Sequence, residues 1–157
     1  MKNKTLAAWL TFVGGPLGLH RLYLFGKSDR LAWLLPIPSL LGLYGVYRAR
    51  SIGLDDPWSW VLIPMLGFTM AACALNALVY GLMACDKWNA RFNPGAAPDA
   101  SAGQSNWLTI GALVTALFVG TTILMASLAY SIQHYFEYQA QAAPLLAQPP
   151  DTKKSAD

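Results

Sequence analysis

In the run Gly15-Pro16-Leu17-Gly18-Leu19-His20-Arg21-Leu22-Tyr23-Leu24-Phe25-Gly26-Lys27, a histidine and an arginine follow two glycines spaced three apart at the far end of an apolar stretch. His20 carries a charge that depends on pH near neutrality, and Arg21 is long enough to reach headgroups or water from a membrane boundary. Gly15 and Gly18 have no side chain, so another backbone can come close, and Pro16 between them removes a donor and invites a kink. Two readings follow: a kinked helix end with snorkelling charges, or a dedicated contact site. Asp29, just beyond the run, is expected to pair with Arg21 across the turn and hold the flanking helices shut.

Elsewhere, residues capable of chemistry are scattered. His134, Cys85 and Asp86 show no ligand-type spacing, no nucleophile elbow and no paired acids. Asp55 and Asp56 are adjacent carboxylates without further oxygen donors, a poor divalent-cation site, and Arg48 and Arg50 nearby favour an exposed ion-pair cluster. Asp56 before Pro57 also suits a helix start, as cap and first helical residue. Cys73 and Cys85 on one helix would stand about 18 Å apart, beyond disulfide reach. No catalytic residue, metal site or cofactor is expected.

The order Gly15, Gly18, His20, Arg21, Tyr23, Leu24 resembles the signature of the bacterial-type TM2 domain, Gly-x-x-Gly-x-His-Arg-Phe-Tyr-Leu-Gly, with Lys4, Leu6 and Ala7 also suiting the family's opening. Leu22 stands where the family usually has Phe, Phe25 adds a residue before Gly26, and Ser39 to Arg50 lacks the family's Trp and Asp. The resemblance covers roughly residues 2–50. It implies two membrane helices joined by a short linker, in the inner membrane, with no established chemistry.

The elements that must position these residues follow from composition. Apolar residues make up 55% of the 157 and charged residues only 12%, the balance of a membrane protein. A net charge of +3 dispersed among loops argues against nucleic acid. The pattern predicts an all-α integral membrane protein with four spans: Thr5 to Phe25, Leu31 to Tyr47, Ser59 to Cys85 and Trp107 to Ile132. The first is read as a retained span and not a cleaved signal. The second, about 25 Å as straight helix and holding Pro36 and Pro38, is short for a full crossing. Tryptophans 33, 58, 60, 88 and 107 fall near span ends, as an interfacial belt would place them. Asn76, polar and near mid-membrane, is expected to face protein, and the Gly67/Ala71, Ala77/Gly81 and Ala112/Ala116/Gly120 spacings suit close helix contact.

Residues 93–106 read as a flexible linker, 107–138 as the fourth helix with an interfacial extension, and 139–157 as a disordered tail. Four crossings put both ends of the chain on one side, which divides the basic residues almost evenly; Lys2 and Lys4 ahead of the first helix favour the cytoplasm.

Three function classes remain. The first is a non-enzymatic binding or scaffold component that contacts membrane lipid, another membrane protein or a second copy through Gly15, Gly18, His20, Arg21, Tyr23, Asp29 and Asn76. The second is a small transporter or oligomeric channel using Pro36, Pro38, Pro64 and Asn76, although no carboxylate lies within a span. A membrane enzyme is the third, and the absent ligand spacing weighs against it.

Overall fold

The computed structural model describes residues 1–53 and 56–146, and every regular element among them is helical. The Asn3 side chain caps α1 (Lys4–Gly14), accepting from the Thr5 and Leu6 amides at 2.9 and 3.2 Å. A 3-10 turn (Gly15–Leu17) follows, and Gly18, at φ 74°, swings the chain into α2 (Leu19–Phe25). Asp29 caps α3 (Arg30–Leu34). Leu35 keeps helical geometry between α3 and α4 (Pro36–Ile52), which Pro36 opens at a position where its missing donor costs little. As expected, Asp56 caps α5 (Pro57–Leu82) with Pro57 as its first residue. Then come α6 (Cys85–Phe92), a second 3-10 turn (Ser101–Gly103) and α7 (Trp107–Leu146).

The first apolar run does not cross the molecule. It was expected as one span over Thr5 to Phe25, but α1 goes in and α2 comes back. The Tyr23 hydroxyl accepts from the Asn3 amide at 2.9 Å, and the Lys2 ammonium donates to the Leu24 carbonyl. A left-handed glycine after a 3-10 turn reverses direction where a kink would only have bent it.

The hairpin sits against α5, the central helix, which also packs on α4 and α7. Small residues permit the close approach of α5 and α7: a Cβ on Gly120 would fall 2.5 Å from the Ala74 Cβ, and Ala77 and Ala116 are buried in one cluster. On the other side of α5, Gly42 faces Leu66 and Gly45 faces Leu62 at comparably short range. Beside these, α1 lies along both α5 and α7, with the Thr5 and Thr109 hydroxyls 2.7 Å apart and the Trp9 indole donating to the Leu108 carbonyl.

These contacts define two ends of the bundle. One end gathers Lys2, the α2–α3 turn, the end of α5, α6 and the start of α7: the Lys4 ammonium donates to the Met83 carbonyl at 3.0 Å, and the Trp88 indole to the Lys2 carbonyl at 3.0 Å. The other holds the α4–α5 loop, where Arg48 meets Asp56, and the later part of α7, where His134 stacks on Trp60 at 4.6 Å. Hence α3–α4, α5 and α7 each run from end to end, and the hairpin does not. The expectation that the first and last helices lead to one side is therefore corrected: α1 begins at one end and α7 finishes at the other. The α3–α4 pair is also longer than Leu31 to Tyr47, about 34 Å from Arg30 to Ile52 at helical rise.

Three further expectations change. Residues 93–106 are folded onto α6, because the buried Asn89 amide donates to the carbonyls of Ala97, Pro98 and Ala100. The last helix continues past Tyr138 to Leu146, so the tail expected from residue 139 is helical over its first part, and residues 147–157 lie outside the described ones. Trp88 is not a belt residue: it is fully buried with Ala7, Leu24 and Phe92, whereas Trp33, Trp58 and Trp107 are largely exposed. Two helices, α5 and α7, are long and apolar enough by themselves to cross a membrane.

Candidate functional site

Gly15 and Gly18 each have a steric reason. A Cβ on Gly15 would lie 2.6 Å from that of Cys73 on α5, and one on Gly18 would lie 2.2 Å from the Ala32 carbonyl oxygen on α3. The hairpin tip is thus wedged between two helices that no side chain could separate. Ser39 fastens it further, donating from its hydroxyl to the Pro16 carbonyl at 2.7 Å.

Beyond the tip, α2 aims its polar residues in two directions. His20 is buried, its ring 6.3 Å from that of Tyr80, and its Nδ1 has no hydrogen-bond partner. Arg21 is half-buried; its Nε donates to Asp29 Oδ2 at 2.6 Å, and its guanidinium lies over the Phe25 ring at 5.2 Å. Asp29 also accepts from the Leu31 amide at 3.1 Å. These bonds, that from Arg21 foremost, hold its carboxyl below the usual carboxylate range. The expected Arg21–Asp29 pair is present and clasps the turn between α2 and α3. Tyr23 points away from it, toward Asn3.

Asn76 departs from expectation. It is exposed, not packed against protein, and its amide has no hydrogen-bond partner among the described residues. It does reach the other motif residues: Asn76, His20 and Arg21 line one groove of about 470 Å³ with Leu31, Leu35, Pro38, Met65, Phe68, Thr69, Ala72 and Cys73. Gly15 and Gly18 position this groove without lining it, Asp29 acts on it through Arg21, and Tyr23 lies outside it. Sequence reading missed the apolar wall. Its signal was there, in Phe68, Ala72 and Asn76 spaced four apart on one face of α5 and in Leu31, Leu35 and Pro38 on α3–α4.

At the opposite end, Asp56 accepts from Arg48 Nε and from a terminal Arg48 nitrogen, both at 2.8 Å, and from the Ser59 hydroxyl and amide at 2.8 and 3.1 Å. That is an ion pair and helix cap in one. With its oxygens so committed, Asp56 is a poor metal ligand, and Asp55 lies outside the described residues. Among the described residues no three His, Cys, Asp or Glu side chains cluster as metal ligands would. Cys73 and Cys85 are both free thiols.

No protein-family model, curated protein or solved structure matches the chain.

Proposed function

We propose that this chain is an integral membrane protein with three crossings and one re-entrant hairpin, which works by binding lipid or another membrane protein and not by catalysis. The observation that carries this reading is the apolar exterior. Only 28% of the most apolar window of α5 and 17% of that of α7 is buried, far less than a soluble core helix would bury, and exposed side chains such as Leu75, Val79, Phe118 and Met125 need lipid around them. The re-entrant backbone is acceptable at that depth because α3 and α5 cover its tip.

Counting charges by the ends of the bundle supports an orientation that counting by apolar runs did not. Lys2, Lys4, Arg21, Lys27, Arg30, Lys87 and Arg91 belong to the end that holds α6; Arg48 and Arg50 belong to the other. The α6 end is therefore assigned to the cytoplasm. The resemblance to the TM2 signature fits a small membrane hairpin protein, here with its first helix folded back. Transport finds less support: Asn76 opens onto an outer groove, and Pro64 lies inside an unbroken α5.

The test is labelling with a membrane-impermeant maleimide after Cys73 and Cys85 are replaced by serine. Single cysteines at Asn3, Ser28 and Ala97 should react from the cytoplasmic side, and those at Ser51 and Gln139 from the opposite side. Asn3 and Ser28 reacting from opposite sides would overturn the hairpin.

A further inference from the structure

The groove between α2, α3–α4 and α5 has a polar upper part and an apolar lower part. Its upper part carries Arg21, His20 and Asn76, and its lower part Leu35, Phe68 and Ala72. The pair with Asp29 engages Arg21 only through Nε. The two terminal nitrogens of the fork remain without a hydrogen-bond partner among the described residues, free for a second anion. Lys27 and Arg30 stand exposed on the turn that Arg21 clasps, and Asp29 is the sole acid between Gly15 and Leu35. The turn beside the groove therefore keeps a net positive charge even after the ion pair is counted, with Arg21 as the basic residue that lines the groove itself. Buried His20 and exposed Asn76 each carry a polar atom with no hydrogen-bond partner among the described residues.

We propose that this groove is a binding site for one anionic glycerophospholipid, its phosphate held by Arg21 with Lys27 and Arg30 and one acyl chain lying along Leu35, Phe68 and Ala72. The charge of the turn selects the headgroup, since basic side chains close to a membrane surface attract anionic lipid. The apolar wall takes the chain, and about 470 Å³ falls within the range of small-molecule sites, about 300–1,000 Å³. Asn76, with Arg21, supplies hydrogen bonds to the polar glycerol region. The site rests on the membrane reading above and adds a ligand class to it.

The experiment is native mass spectrometry of the full chain in mild detergent, with dioleoyl phosphatidylglycerol and dioleoyl phosphatidylcholine as competing probes. Wild type should retain one phosphatidylglycerol over phosphatidylcholine by at least about fivefold, the scale of one basic contact with an anionic headgroup. Arg21→Gln should bring the two lipids near parity. Ala72→Phe, which fills the groove and leaves the Arg21–Asp29 pair intact, should lose both; Lys27→Gln with Arg30→Gln should reduce the preference without touching that pair. Equal retention of the two lipids by wild type overturns the proposal, as does undiminished retention by Ala72→Phe or displacement of the lipid by inorganic phosphate alone. Cysteine labelling of the wild type separates the two readings: no phosphatidylglycerol preference with the expected labelling pattern removes the site only, and a different pattern removes the membrane arrangement beneath it.

Discussion

The Tyr23 hydroxyl receives the backbone amide of Asn3 at 2.9 Å, which brings two residues from opposite ends of the first apolar run side by side. Lys2 adds a second tie, and α6 covers both: the Trp88 indole and the Asn93 amide each donate to the Lys2 carbonyl, at 3.0 and 3.1 Å. A span would have kept these residues on opposite sides. The hairpin is closed from outside by a helix that lies much later in the chain, and its stability depends on that helix.

Gly18 should tolerate no side chain. Gly18→Ala places a Cβ on the Ala32 carbonyl and forces an L residue to φ 74°, whereas Gly26→Ala meets the second difficulty alone, at φ 82° with open space around it. The conformational part costs about 1–3 kcal/mol at either position. Denaturant unfolding in mixed micelles should therefore rank Gly18→Ala clearly below Gly26→Ala, and equal losses would contradict the packing of the tip against α3.

Removing Trp88 should loosen the first residues before the bundle. Trp88→Ala empties the cluster shared with Ala7, Leu24 and Phe92 and removes a donor from Lys2, at a cost of about 3–5 kcal/mol for a buried aromatic. Hydrogen exchange should speed up at residues 2–7 and in α2 while α5 stays protected. Uniform loss of protection would show that the hairpin and the bundle open together.

The Arg48–Asp56 pair gives stability a defined dependence on pH. Hydrogen bonds from Arg48, then from Ser59, hold the Asp56 carboxyl well below the usual carboxylate range. An acid whose pKa is lower in the folded state stabilises that state fully above its unfolded value, about 3.9, and loses the contribution as pH falls toward the folded value. Asp56→Asn should thus lower the thermal midpoint at pH 7, and the gap to wild type should narrow below about pH 4. Asp29 shares the same sign and stays in both proteins.

Asn89→Leu should free residues 93–106. The Ala97, Pro98 and Ala100 carbonyls would lose their side-chain anchor on α6, at about 0.5–1.5 kcal/mol per hydrogen bond, while Ala97 and Ala100 keep their turn bonds from the Ala100 and Gly103 amides. Limited proteolysis from the α6 side should then cut in 93–106 much faster than in wild type, with the cysteine-labelling pattern unchanged.

Much of this arrangement could be read from residue types, and the misreadings share a cause. Caps and pairs are local, so Asp56 with Pro57 and Arg21 with Asp29 were visible from spacing alone. Small residues at i and i+4 pointed to close helix contact for the same reason, without saying which helices meet. Direction is not local. The length of an apolar run says how far a chain can reach, and only the left-handed conformation of Gly18, which depends on Ala32 above it, says that the run turns back. Trp88 and residues 93–106 were misjudged on similar grounds: an aromatic near a span end and a Pro/Gly-rich segment look interfacial and loose until the surfaces that bury them are known. Asn76 erred the other way, since an amide at mid-helix was expected to need protein and instead lines an open groove.

The shallow tip of the hairpin has a mechanical consequence. On the membrane reading proposed above, α1 and α2 would displace lipid from one leaflet only, the one on the α6 side, and beyond Val13 and Leu17, both exposed, the other leaflet would keep its full area. Among the described residues, the end that α6 covers holds the hairpin beside α3–α4, α5 and α7, and the end near Trp60 does not. On that reading a membrane convex on the α6 side would suit the protein best, and binding to vesicles of graded diameter would measure the preference.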